Sequence, residues 1–237
     1  VVEAMSKPER LGAAEIVPGG RVGVARFPAD AQTASELLEA AQTARMGIPA
    51  TGEQVAIFTP EARAAALRKL AVESGLRHAA ERGELSLSYQ LQADLTTGEI
   101  AGAQVIMNWT SQTLGSVPGH EFLPIAMQTG LIVMLGDWKR EAICQQLRVW
   151  EQAGVRVPRL CLRISQLELQ QPDMVDKLRQ SLLANGLQAQ ALGIEISEQA
   201  LFNASPELVK TLNQLRGLGL EISLGDFGAG ATNLGLL

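Results

Sequence analysis

Short apolar runs at 160–164, 192–196 and 220–224 are separated by stretches at 173–185 and 206–218 whose apolar residues recur at helical spacing, and a further helical stretch at 131–152 precedes them. Strands that alternate with helices pair side by side only through crossovers that lay the helices on the sheet. The pattern therefore predicts a parallel sheet covered by helices, either open or closed into a barrel. Upstream, Leu85, Leu87, Tyr89 and Leu91 alternate with Ser86, Ser88, Gln90 and Gln92, as in a half-buried strand. Thr96, Thr97 and Gly98 then turn the chain into a second strand over 99–109, which predicts a hairpin or adjacent strands.

The first 60 residues read as a smaller α/β unit. A short strand at 22–27 is closed by Pro28, Thr33 is placed to cap a helix, and Leu37, Leu38, Ala41 and Ala44 form the expected buried stripe of that helix. Gly47 and Pro49 end it, and 54–58 is a second strand. Residues 61–82, rich in Ala, Leu, Arg and Glu, are expected to form one long amphipathic helix, with a bend or break at Gly75 and an end at Gly83. Two roles fit this helix: a surface helix packed on the neighbouring domain, or a relay between two domains.

Composition excludes several classes. With 46% hydrophobic and 19% charged side chains over 237 residues, the chain is neither disordered nor collagen-like nor a small disulfide-stapled fold. A net charge of −5 and a pI near 5.2 supply no basic field, so neither nucleic acid nor an anionic membrane surface is an expected partner of this segment. Cys144 and Cys161 sit among apolar residues without metal-ligand spacing, which suits a reducing compartment and predicts a cytoplasmic location. The most apolar stretch, 123–138, is interrupted by Gln128, Thr129, Gly130 and Asp137 and falls short of the roughly 20 apolar residues of a membrane span. The chain opens on Val1 and stops soon after a Gly-rich turn, as expected of a piece of a longer protein.

Three strands carry one polar residue between apolar neighbours: Gln104 between Ala103 and Val105, Arg163 between Leu162 and Ile164, and Glu195 between Ile194 and Ile196. Because strand side chains alternate faces, apolar neighbours turned to the covering helices leave the polar residue pointing inward. Asp226 follows the last strand. Polar groups at the carboxyl ends of parallel strands converge where such folds keep their active sites, although a structural polar layer inside a barrel fits the same pattern.

The segments Leu76-Arg77-His78-Ala79, Tyr89-Gln90, Gly102-Ala103-Gln104-Val105-Ile106-Met107-Asn108-Trp109, Glu121-Phe122-Leu123-Pro124-Ile125-Ala126 and Thr129-Gly130-Leu131-Ile132 resemble the start of an EAL domain, the bacterial cyclic di-GMP phosphodiesterase. Leu162-Arg163-Ile164-Ser165, Ile194-Glu195-Ile196-Ser197-Glu198 and Asp226-Phe227-Gly228-Ala229-Gly230 follow in that family's order and spacing. Residues 22–58 are similar to the closing part of a GGDEF domain, without the cyclase signature itself. The resemblance implies an incomplete (β/α)₈ TIM-type barrel of EAL type over 84–237, short of its last strands, which would leave two open sheet edges. A GGDEF-like remnant over 1–60 and a linker helix over 61–83 would precede it.

In active relatives the resemblance implies opening of the cyclic dinucleotide by metal-assisted attack of water, with Mg or Mn as cofactor. Position by position, the implied metal ligands fall on Gln104 in place of a glutamate, Arg163 in place of an asparagine, Gly225 in place of an aspartate, and on Glu195 and Asp226, which are kept. Asn108 replaces an arginine that helps hold the phosphate, Gln90 is retained beside Leu91 in place of a proline, and Glu198 keeps the acid of a supporting loop. Glu195 and Asp226 contribute −2 and Arg163 +1, so the cavity carries −1 where relatives balance two divalent cations. A fixed guanidinium repels such cations in a low-dielectric pocket.

No catalytic residue and no cofactor is therefore expected. Glu195 and Asp226 become a remnant metal site, bridged by Arg163. Gln90, Gln104, Asn108 and Arg163 are the candidate ligand contacts, with cyclic di-GMP, a protein partner or a second copy of the chain as candidate partners. The expected function is a degenerate, inactive cyclic di-GMP signalling module acting as a sensor or an interaction regulator; the alternative is an active metal-dependent phosphodiesterase. His78 on the connecting helix and His120 in a loop read as solvated surface rather than as ligands, and Trp109, Trp138 and Trp150 read as core rather than as a stacking platform.

Overall fold

The computed structural model describes residues 8–12, 14–16, 20–48, 54–155, 159–202 and 205–226. Chain contacts divide it into two compact units, Val1–Val72 and Glu73–Leu237. In the first unit, β1 (Glu9–Leu11) and β2 (Ala14–Ile16) form an antiparallel pair. There, β3 (Val22–Val24) and β4 (Val55–Ile57) run parallel, joined through helix α1 (Ala34–Met46). Thr33 caps that helix reciprocally with Glu36: the Glu36 N–H donates to Thr33 Oγ1 at 3.3 Å, and the Thr33 N–H donates to the Glu36 carboxylate at 3.0 Å. Ala40, Ala44 and Phe58 make a small core, whereas Leu38 faces solvent, contrary to the expected stripe. The helix backbone packs so closely that a Cβ on Gly23 would overlap the carbonyl of Ala41, and only glycine fits that strand.

Helix α2 (Pro60–Leu76) ends six residues before the expected boundary at Arg82, and 77–83 are turns. Gly75 does not break the helix; it lies against the indole of Trp109, where a Cβ would come 3.1 Å from Cζ2. The glycine answers a packing demand at the last turn, and Gly83, with φ 66°, closes the turns that follow.

In the second unit, β5 (Leu85–Ala93) and β6 (Ile100–Ser111) form the expected hairpin, with Gln90 opposite Gln104. Leu85 is buried and Leu87 and Tyr89 half-buried, but Leu91 is exposed at the strand's outer end, a correction to the expected apolar face. A short β7 (Gly115–Val117) folds back on β6. Helices α3 (Gly119–Thr129) and α4 (Leu131–Gln152) lead to β8 (Arg159–Arg163), the single turn α5 (Gln166–Leu169) and α6 (Met174–Asn185). Next come β9 (Leu192–Ser197), α7 (Glu198–Phe202), α8 (Pro206–Gly217) and β10 (Glu221–Gly225). His120 lies in the first turn of α3, not in a loop.

The sheet order is β10-β9-β8-β6-β5, parallel from β6 to β10. The expected alternation of strands and helices is thus realised as an open six-stranded mixed sheet. Its helix-side face carries Ala103, Val105, Leu160, Leu162, Ile164, Leu192, Ile194 and Ile196, which pack against Ile143, Leu147, Leu178, Leu182, Leu208 and Leu215. Each of the Val, Leu and Ile side chains, fully buried, contributes about 1.5–3 kcal/mol, which is what fixes the register of strands this short. Trp109 is buried edge-on against Phe122, and Trp150 edge-on against Tyr89, as core aromatics. Residues 227–230 of the Gly-rich turn, together with Pro49, lie outside the described residues.

Candidate functional site

Alternation along the parallel strands turns Gln104, Arg163 and Glu195 away from the helices, onto one face of the sheet near its carboxyl edge. Arg163 and Glu195 stand opposite one another in the β8 and β9 register, and Ser197 stands opposite Gly225 on β10. Asp226 follows with φ 55°, the one non-glycine residue at positive φ among those described, in a conformation that aspartate tolerates better than bulkier residues.

Two polar pairs result. Gln104 Nε2 donates to both oxygens of Glu195, at 3.0 and 3.1 Å, and Glu195 as a residue is 7% exposed. Arg163 donates through Nη1 and Nη2 to the two carboxylate oxygens of Asp226, a forked ion pair open to solvent on both sides. The expected bridge from Arg163 to both acids is corrected: the guanidinium takes Asp226, and the side-chain amide takes Glu195. The reason lies at Gly225. A Cβ at that position would overlap Glu195 Oε1 and lie 2.7 Å from its Cδ, so the glutamate has folded into the volume that a larger residue would claim.

Asn108 Nδ2 donates to Ser88 Oγ at 2.9 Å across the hairpin, and Gln90 is exposed on the same face. The structure thus places all six candidate residues on one side of the sheet and joins four of them in two pairs. Sequence reasoning missed Lys139. Its ammonium reaches the site's strand from behind and donates to the Arg163 carbonyl at 2.6 Å. The signal was legible: Lys139 falls four residues from both Leu135 and Ile143 on the buried stripe of α4. Cys144 and Cys161 are buried and free, and burial pushes the Cys144 thiol up to about 11, which makes it inert.

A family model described as EAL domain matches residues 73–237. The chain belongs to the EAL domain family. It is 30% identical over 235 residues to the bifunctional diguanylate cyclase/cyclic di-GMP phosphodiesterase MucR of Pseudomonas aeruginosa, covering 99% of this chain and 34% of that protein. The cyclic di-GMP phosphodiesterase NbdA of the same organism is 30% identical over 238 residues, covering all of this chain and 30% of NbdA. The chain therefore spans about a third of the length of these relatives. Among solved structures, the MucR phosphodiesterase in complex with cyclic di-GMP aligns with a TM-score of 0.65 at 31% identity, covering 70% of this chain and 67% of that one. The open sheet is accordingly the EAL-type, TIM-barrel-like fold, without a closed barrel among the described residues. No helix among those residues is long and apolar enough to cross a membrane.

EAL phosphodiesterases as a class depend on divalent metal ions, and the residues here do not fit a metal pair. Both oxygens of Glu195 already accept from an amide, Asp226 is neutralised by Arg163, and a carboxylate side chain at 225 would collide with Glu195. A guanidinium cannot lose its proton to become a ligand, and it repels cations brought close to it.

Proposed function

We propose that the chain is a catalytically inactive EAL module that senses cyclic di-GMP, with Arg163 supplying in fixed form the positive charge that active relatives take from metal. The observation that carries this reading is the closed Gln104, Glu195 and Gly225 arrangement, in which both oxygens of Glu195 are taken by the amide. Arg163 is half exposed, and its planar fork matches a phosphodiester as well as it matches Asp226, so an incoming phosphate exchanges with that carboxylate. Gln90 and Asn108 line the same face as uncharged partners for the rest of the ligand, while Gln104 stays committed to Glu195. The first unit, a parallel β-α-β element with a capped helix, is the closing part of a GGDEF-like domain in this reading, and 61–83 links it to the module.

The test is calorimetric titration of the full-length protein with cyclic di-GMP, with and without magnesium, while the linear dinucleotide product is followed. Binding heat that is independent of magnesium, with no product, is expected, and Arg163→Ala abolishes the heat. Product formation in magnesium that vanishes in Asp226→Ala overturns the inactive reading. Absence of both heat and product overturns the sensor and leaves an interaction module.

A further inference from the structure

We infer that Lys139 is a positioning residue for Arg163: a buried ammonium on the covering helix that fixes the strand end from which the guanidinium is presented. Only the ligand-affinity arm of the test below rests on the proposed sensing role. Lys139 is 8% exposed and sits between Leu135 and Ile143, which are fully buried. A lysine in such a place is unfavourable unless its charge is matched and its protons are bonded. Its Nζ donates to the Arg163 carbonyl at 2.6 Å and stands 3.8 Å from Glu168 Oε1.

The other oxygen of Glu168 accepts from the backbone N–H of Ser165 at 2.7 Å and from its hydroxyl at 2.6 Å. Between Arg163 and Ser165, the Ile164 N–H donates to the carbonyl of Glu195 at 2.9 Å. Three consecutive residues leaving β8 are thus each held by a different group, two of them by the same buried ion pair. Gly136, one turn before Lys139, makes room for this: a Cβ there would overlap Glu168 Oε1. An apolar residue would fill the space at lower desolvation cost, so what the charge adds is direction. It pins the last carbonyl of β8, and with it the root of the Arg163 side chain.

The experiment follows the Arg163 Nη–Hη resonances, whose protons go to Asp226, in ¹⁵N-labelled full-length protein at low temperature, identified by their loss in Arg163→Lys. The main variant is the double change Lys139→Met with Glu168→Gln, which removes both buried charges together and leaves none unpaired. The double variant is expected to unfold cooperatively, yet to exchange the Arg163 Hη protons, which Asp226 accepts, with solvent about tenfold faster as that pair opens more often. Asp226→Asn should produce the same acceleration from the other side. If the double variant does not fold, Gly136→Ala, which displaces Glu168 while keeping both charges, carries the same expectation. A folded variant with unchanged Arg163 exchange overturns the inference. In a second arm, cyclic di-GMP affinity falls about tenfold in the double variant if the wild type binds. If the wild type does not bind, the sensing role fails, and the exchange readout still decides the part played by Lys139.

Discussion

At the scale of single residues, the site is governed by what Gly225 lacks. Glu195 occupies the space of the missing side chain and is fastened there by the Gln104 amide, so Gln104, Glu195 and Gly225 hold one another in place. Reversal of one alone should therefore accomplish little. Gly225→Asp is expected to bind no Mn²⁺, because the new side chain meets Glu195 and the guanidinium still stands on Asp226. Gly225→Asp combined with Gln104→Glu and Arg163→Asn removes the positive charge and the amide clamp, and Mn²⁺ uptake should appear. Loss of the free Mn²⁺ electron paramagnetic resonance signal on titration distinguishes the two. Uptake by Gly225→Asp alone would show that Glu195 is not held.

At the scale of elements, the end of α2 shows how a local signal acquires its meaning from a distant partner. Gly75 has the composition of a helix breaker, yet the helix continues through it and the glycine faces Trp109. Gly75→Ala should gain up to about 1 kcal/mol in helix propensity. The indole cannot retreat to accommodate the methyl group, since its N–H donates to Glu84 at 2.9 Å and its ring packs edge-on against Phe122. Overpacking of about 1–3 kcal/mol should win, seen as a lower denaturant midpoint at unchanged m. A rise in the midpoint would mean that Trp109 yields. The hairpin, β8 to β10 and the helices α4, α6 and α8 were legible because each has a clear period, whereas β7, α3, α5 and α7 were not read, being short or, in α3, carrying Pro124. The exposed Leu38 and Leu91 were not legible either, because periodicity assigns a face without saying how far along the element the cover extends.

At the scale of the whole molecule, stability should decline on the acid side in a way that traces to specific carboxylates. Hydrogen bonds from the Trp109 indole and then from the Gln112 backbone hold the Glu84 carboxyl below its ordinary value. For Asp137, burial pulls upward, but bonds from Lys177 and Arg140 outweigh it and the net shift is also downward. A folded-state pKa below the unfolded one gives stabilisation that is complete above the unfolded value and lost as pH falls through the folded value. The loss should therefore begin below the ordinary glutamate value of 4.5. Glu84→Gln should flatten this acid limb in thermal melts between neutral pH and pH values below that point; an unchanged slope would remove Glu84 from the account. The amino-acid sequence by itself determined the alternation of strands and helices, the hairpin, the capped first helix and the three strand residues Gln104, Arg163 and Glu195 turned away from the helices, because periodicity and turn chemistry are local properties, and its motifs in order carried the family resemblance. Only the tertiary structure decided which of those residues pair, that Glu195 fills the space beside Gly225, and that Lys139 reaches the Arg163 carbonyl. Those outcomes depend on volumes and charges brought together from strands and helices far apart in the chain, and no local pattern encodes which neighbour arrives first.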